Sequence, residues 1–219
     1  MKISAVIPTL NAAASLPATL AALGTITEIV VADGGSEDAT ASVAQRAGAL
    51  VVGTERGRGQ QFAAGIAVAK GEWLLLLHAD TRLTPDWRQA AVGHMRDHPD
   101  KAAYFRFVLD SADPRARRLE RLVAWRCRIL ALPYGDQGLL IHRDTLRRAG
   151  GMRPLPLMED VDLIRRLGRH RLVGLSPGAV TSATKWERGG WYRRSCRNLL
   201  CLSLWHVGVP PGRIARIYR

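Results

Sequence analysis

Residues 73–77, Trp-Leu-Leu-Leu-Leu, form an unbroken apolar run that ends in His78, Ala79 and Asp80. A run without polar alternation has two faces to bury, as a central strand covered by helices on both sides does. In open α/β sheets the carboxyl ends of such strands carry the ligand chemistry, which marks Asp80 as a candidate functional residue. A turn cap is the other reading of an aspartate at that place. Further β-rich runs at 3–7, 28–32 and 50–52 alternate with helical patterns at 12–23, 37–48, 60–70 and 85–98. That rhythm predicts an α/β fold with a Rossmann-like, mostly parallel sheet flanked by helices. Ser36 is placed to cap the second helix, and Thr84, Pro85 and Asp86 to begin the fourth.

The chain has 219 residues, 47% of them hydrophobic, enough for one well-buried domain without disulfide staples. Cys127, Cys196 and Cys201 have no metal-ligand spacing and read as reduced thiols of an intracellular protein. No signal peptide is expected at the start, and the longest apolar stretch, near 199–209, is too short to span a bilayer. The net charge of +13 is lopsided: residues 1–100 carry 8 Lys/Arg against 10 Asp/Glu, the remainder 24 against 9. A basic second half suits a diphosphate, anionic lipid or nucleic acid, and charge does not choose among them.

Three further clusters have chemical potential. The strand 29–32 runs into Asp33-Gly34-Gly35-Ser36, so a carboxylate able to bond a base or ribose stands beside glycines that turn the chain. Arg56-Gly57-Arg58-Gly59 opens the third helix, where a guanidinium beside helix amides can cradle phosphate. Gly135-Asp136-Gln137-Gly138 and Met158-Glu159-Asp160-Val161-Asp162 lie in the basic half, the latter beginning a helix. A carboxylate there can serve as general base, or simply favour the helix N-terminus. Asp162 reads as a partner of Arg165 or Arg166 one turn on.

Taken together these segments resemble glycosyltransferase family 2, the GT-A nucleotide-sugar transferases. The matching pieces are residues 5–11 (Ala-Val-Ile-Pro-Thr-Leu-Asn), 33–40, Gly57-Arg58-Gly59, Asp80, Gly150-Gly151-Met152 and Glu159-Asp160. Residues 135–138 and 181–186 further resemble the subgroup labelled rSAM/selenodomain-associated transferase 2. The resemblance implies that Pro8, Asn11 and Asp33 hold the nucleotide, Arg58 the pyrophosphate, and Asp80 an Mn²⁺ or Mg²⁺ bridging the diphosphate. It implies that Asp160 is the base for in-line, inverting attack by the acceptor hydroxyl, supported by Glu159, with Asp136 and Gln137 on the acceptor side. The chain departs twice: His78 replaces the first carboxylate of the metal motif, where imidazole still suits Mn²⁺, and Gly34 replaces a second aspartate.

On this reading residues 1–185 form the transferase domain, with a nucleotide-binding half (1–100) and an acceptor-binding half (101–185), and 186–219 form a basic helical extension. The expected partners are a nucleoside-diphosphate sugar and an unidentified acceptor, lipid-linked or small; nucleic acid is disfavoured. The expected location is cytoplasmic, with a peripheral place on the inner membrane face left open. The segment 115–132 reads as a cationic amphipathic helix with Leu119, Leu122, Val123, Ile129 and Leu130 on its apolar side and Arg118, Arg121 and Arg128 sharing a face with Trp125, a pattern that suits anionic phospholipid, a lipid-phosphate acceptor or a solvated basic face over ordinary core packing. Two rivals remain: a nucleotidyltransferase making a sugar nucleotide, and a noncatalytic module that binds nucleic acid or membrane.

Overall fold

The computed structural model describes residues 1–218, apart from the Lys185 side chain, so Lys185 of the 181–186 motif and Arg219 of the tail lie outside the described residues. The first half is β1 (Ile3–Thr9), α1 (Leu16–Leu23), β2 (Glu28–Asp33), α2 (Thr40–Arg46), β3 (Leu50–Gly53), α3 (Arg58–Val68), β4 (Trp73–Leu76), β5 (Thr81–Leu83) and α4 (Trp87–Asp97). The second is β6 (Ala102–Asp110), α5 (Pro114–Leu130), β7 (Leu139–His142), α6 (Arg143–Arg148), α7 (Glu159–Leu167), β8 (Leu172–Ser182), α8 (Thr184–Gly189), α9 (Trp191–His206) and α10 (Pro211–Tyr218). Short 3₁₀ turns occupy Gly135–Gln137 and Arg169–Arg171.

The strands make one 8-stranded sheet in the order β3-β2-β1-β4-β7-β6-β8-β5. β1, β2, β3 and β4 pair in parallel, and β7 joins β4 and β6 antiparallel. Side chains alternate across the strands, so two cores form. Ile3, Ala5, Ile7, Leu75 and Leu77 pack with α1 and α4, whereas Val6, Val30, Leu74, Leu76 and Ile141 pack with α3 and α7. This double burial is why β1 and β4 read as continuous apolar runs. A third cluster joins Phe107 and Leu109 of β6 to α5, Trp186 and Trp191, and a fourth joins Leu157 to Cys201 and Ile214 of the terminal helices. Among the described residues no helix is long and apolar enough to cross a membrane.

Three local expectations are corrected. The first helix begins at Leu16, because the amides of Ala12 and Ala13 are taken by Thr40 Oγ1 (2.8 Å) and Asp38 Oδ2 (3.1 Å). Ser36 does not cap the second helix; its hydroxyl donates to Asp33 and accepts from the Asn11 amide. On α5 the buried residues are Ala116, Val123 and Cys127, while Leu122, Ile129 and Leu130 are exposed. The strand β8 is hidden in the sequence by Gly174, Pro177 and Gly178; its pairing with β6 shifts register between Tyr104 and Arg106, and that irregularity admits the proline.

The close seat of α3 on the sheet depends on Gly65, whose added Cβ would stand 2.4 Å from Val6 Cγ1. Gly65→Leu is expected to lower the unfolding free energy by about 1–3 kcal/mol through overpacking, despite a better helix propensity. Urea unfolding of the two proteins measures this directly.

Candidate active site

The carboxyl ends of β1 and β2 are tied by a polar network. Their register sets Thr9 opposite Asp33, and Thr9 Oγ1 donates to Asp33 Oδ1 at 2.8 Å. Asp33 also accepts from the Ser36 amide (2.8 Å), the Ser36 hydroxyl (2.6 Å) and the Gly35 amide (3.2 Å). Partial burial acts to raise the Asp33 pKa, but the bonds from Ser36, Thr9 and Gly35 outweigh it and hold the carboxyl below its usual range. Asn11 takes a left-handed conformation (φ 50°), which asparagine tolerates well, and its Oδ1 accepts from the Glu37 amide at 2.9 Å. Pro8 is buried within β1. Gly34 has a local cause: a Cβ there would stand 3.0 Å from Gln61 Nε2, which donates to the carbonyls of Thr9 (2.6 Å) and Ala32 (3.0 Å).

Beyond this edge a cavity of about 250 Å³ opens, lined by Arg58, His78, Asp80, Asp136 and Asp160 among others. Five residues singled out in the sequence, from four separate segments, thus meet in one place. β4 and Leu77 deliver His78 and Asp80; the Asp80 carbonyl accepts from the Ser182 amide at 3.3 Å. The Gly135 amide donates to Asp160 Oδ2 at 2.7 Å, and the Val161 amide to Asp160 Oδ1 at 2.8 Å. A Cβ on Gly135 would lie 2.7 Å from His78 Nε2 and 3.2 Å from Asp160 Oδ2, so only glycine lets the turn pass between imidazole and carboxylate.

Two carboxyls are strongly perturbed. Burial pushes Asp136 up to about 6; Arg126 opposes this, while Asp160 and Asp80 add to it. Its Oδ1 is buried with no hydrogen-bond partner among the described residues. Burial pushes Glu159 up to about 7, against the pull of Arg58. Glu159 is fully buried and lies behind the cavity wall, where its Oε1 meets Arg58 Nε at 3.0 Å. The preceding Met158 adopts φ 65° and ψ 21°, a conformation that costs a methionine energy and is found where surrounding structure enforces it. Asp162 behaves as expected, pairing with Arg166 at 2.7 Å and with Arg153 at 3.1 Å.

Gln137 sits beneath the cavity: its Nε2 donates to the Phe105 carbonyl (3.0 Å) and its Oε1 accepts from the Tyr134 amide (3.2 Å). Sequence reasoning missed Arg126, Tyr134, Asn198 and Tyr218, which also line the cavity. The Arg126 guanidinium stacks 3.6 Å from the Tyr134 ring centroid, and burial pushes the Tyr134 phenol up to about 12. Tyr134 Oη and Asn198 Oδ1 have no hydrogen-bond partner among the described residues, as expected of groups that face a ligand.

The sequence model of glycosyl transferase family 2 matches residues 4–155, most of the chain. The chain belongs to glycosyl transferase family 2. It is therefore an enzyme of that family, a glycosyltransferase, and the noncatalytic rival falls away. Solved family-like structures share the fold across nearly the whole chain. Glucosyl-3-phosphoglycerate synthase from Mycobacterium tuberculosis, in complex with Mn²⁺, UDP and glucosyl-3-phosphoglycerate, is 20% identical, with a TM-score of 0.64 over 95% of this chain and 81% of that one. S. aureus TarS is 15% identical, with a TM-score of 0.67 over 100% and 69%. Mannosyl-3-phosphoglycerate synthase from Rubrobacter xylanophilus is 18% identical, with a TM-score of 0.61 over 95% and 76%. At these identities the likeness establishes the GT-A fold of the glycosyltransferase and nothing about its substrates.

The raised carboxyls fix a sign for stability against pH. Glu159, from 4.5 to about 7, and Asp136, from 3.8 to about 6, bind protons more tightly folded than unfolded. Their contribution to stability is therefore fully present below the unfolded values and is lost as pH rises through the folded ones. The melting temperature of the ligand-free glycosyltransferase should drop across that window, and Glu159→Gln and Asp136→Asn should each flatten the drop.

Proposed function

We propose that this glycosyltransferase moves a sugar from a nucleoside-diphosphate sugar to an acceptor hydroxyl with inversion, and that Asp160 is the base. The supporting observation is the fixing of Asp160 by the Gly135 amide, at 2.7 Å, inside the cavity it shares with His78, Asp80 and Asp136. Each Asp160 oxygen accepts one backbone hydrogen bond, which orients the carboxylate and leaves lone pairs for the acceptor proton. As the acceptor oxygen attacks the anomeric carbon opposite the diphosphate, its proton passes to Asp160. The bond from that carbon to the diphosphate oxygen breaks, and one displacement inverts the centre. Arg58, held by buried Glu159, stands at the start of α3 to meet the charge left on the diphosphate. Glu159 is a positioning residue. Pro8, Asn11 and Asp33 form the edge offered to the nucleoside.

The cavity residues suit a divalent cation. The partnerless Asp136 oxygen and the mutual repulsion of Asp136, Asp160 and Asp80 leave negative charge that a cation relieves. Among the described residues no three His, Cys, Asp or Glu side chains converge at coordinating spacing, so a cation here would need further oxygen donors from outside the chain. Asp80, with His78, would hold the Mn²⁺ or Mg²⁺, which supplies Lewis-acid neutralisation of the leaving group. The structures of the M. tuberculosis synthase hold UDP or UDP-glucose with Mn²⁺, and UDP with Mg²⁺, which makes UDP-sugars the first donors to examine.

Release of UDP from a panel of UDP-sugars, with water as the acceptor, tests the assignment. Asp160→Asn is expected to reduce turnover by roughly 10²–10⁴-fold while donor affinity stays within about twofold. Loss of donor affinity with turnover preserved would remove Asp160 from the base role. Release of pyrophosphate from a nucleoside triphosphate and a sugar phosphate would favour the nucleotidyltransferase reading.

A further inference from the structure

Residues of both α5 and α9 line the cavity, and the outer surfaces of these two helices are unlike the rest of the molecule. Of the large hydrophobic side chains that are exposed among the described residues, nine belong to α5, α9, α10 or the residue after α9, and Met1, Leu50, Val68 and Val92 lie elsewhere. Leu122, Trp125 and Ile129 recur at helical spacing on α5, exposed by 63%, 58% and 46%. Tyr192, Leu199 and Leu200 of α9 are similarly open, and Leu199 also lines the cavity. The two helices touch at their N-termini, where the Arg115 guanidinium lies 5.6 Å from the Trp191 ring centroid.

Charge on this surface has one sign. α9 and α10 contain arginines and no acidic residue, and the single acid of α5, Glu120, is taken by Arg117 at 2.9 Å and by the Leu109 amide. Arg118, Arg121, Arg128 and Arg193 are exposed beside the apolar side chains. Arginines flanking an exposed aliphatic and tryptophan stripe match an anionic bilayer, whose headgroups take the cations while its acyl boundary takes Leu122, Trp125 and Ile129. A nucleic acid would satisfy the arginines and leave the aliphatic side chains in water. We infer that α5 and α9 dock this glycosyltransferase on an anionic phospholipid surface, which brings the cavity they line close to the bilayer. The inference goes beyond sugar transfer and does not require it.

Flotation of the full chain with phosphatidylcholine vesicles, with and without phosphatidylglycerol, tests the surface. The protein should bind only the anionic vesicles and dissociate as salt is raised. Arg118→Ser and Arg121→Ser should each weaken binding by about fivefold. The Leu122→Ser, Trp125→Ser double variant should weaken it at least about tenfold with an unchanged melting temperature, since both side chains are exposed. Asp160→Asn, inactive on the reading above, should bind vesicles like wild type, so failure of one assignment leaves the other standing. Absence of binding to anionic vesicles, or capture of single-stranded RNA in its place, would overturn the inference.

Discussion

The ion pair between Arg58 and buried Glu159 ties the start of α3 to the start of α7 across the floor of the cavity. A carboxylate with no exposure is costly to keep charged, and the guanidinium offsets that cost in part. That demand holds two helix N-termini together, and their amide ends favour anions. Asp160 follows Glu159 by one residue, so the pair also sets the carboxylate proposed as base. The left-handed Met158 is the conformational cost of the turn that sends Glu159 inward and Asp160 to the cavity.

The remainder of the site is built under the same shortage of space. Gly135 passes between His78 and Asp160 because it lacks a side chain, and Thr181 Oγ1 donates to the Asp136 carbonyl at 3.1 Å. The loop carrying Asp136 is thereby anchored to β8, and Gln137 anchors it to β6. Burial, together with the negative charge that Asp160 and Asp80 bring to the same cavity, explains the raised Asp136 pKa and the affinity proposed for a cation.

Much of this was legible in the chain. β1, β2 and β4 announce themselves because burial on both faces leaves no polar alternation, and the ends of β2 and β4 supply Asp33 and Asp80. The family resemblance added Asp160, and the fold brings Asp80 and Asp160 into one cavity whose lining does not include Asp33. The unread parts are long-range. Ser36 looked like a helix cap because a local rule cannot see Asn11 and Asp33 competing for its hydroxyl. The buried face of α5 was misjudged because Ala116 and Cys127, small residues, pack where large ones were expected. Arg126 on Tyr134, and Arg194 5.0 Å from the Trp186 ring centroid, join residues whose spacing has no sequence signature. The basic tail read as a helical extension, as found, but not as part of the site; α9 and α10 pack on Leu157 and contribute to the cavity lining.

Everything proposed for the site depends on the cavity binding a nucleoside diphosphate through a cation held by Asp80. Calorimetric titration of the wild-type protein and Asp80→Ala with UDP, each with and without Mn²⁺, addresses this without intermediate steps. The wild type should bind UDP more tightly when Mn²⁺ is present, and Asp80→Ala should lose that Mn²⁺ enhancement. UDP binding of equal strength with and without Mn²⁺ in both proteins would contradict the cation-bridged site.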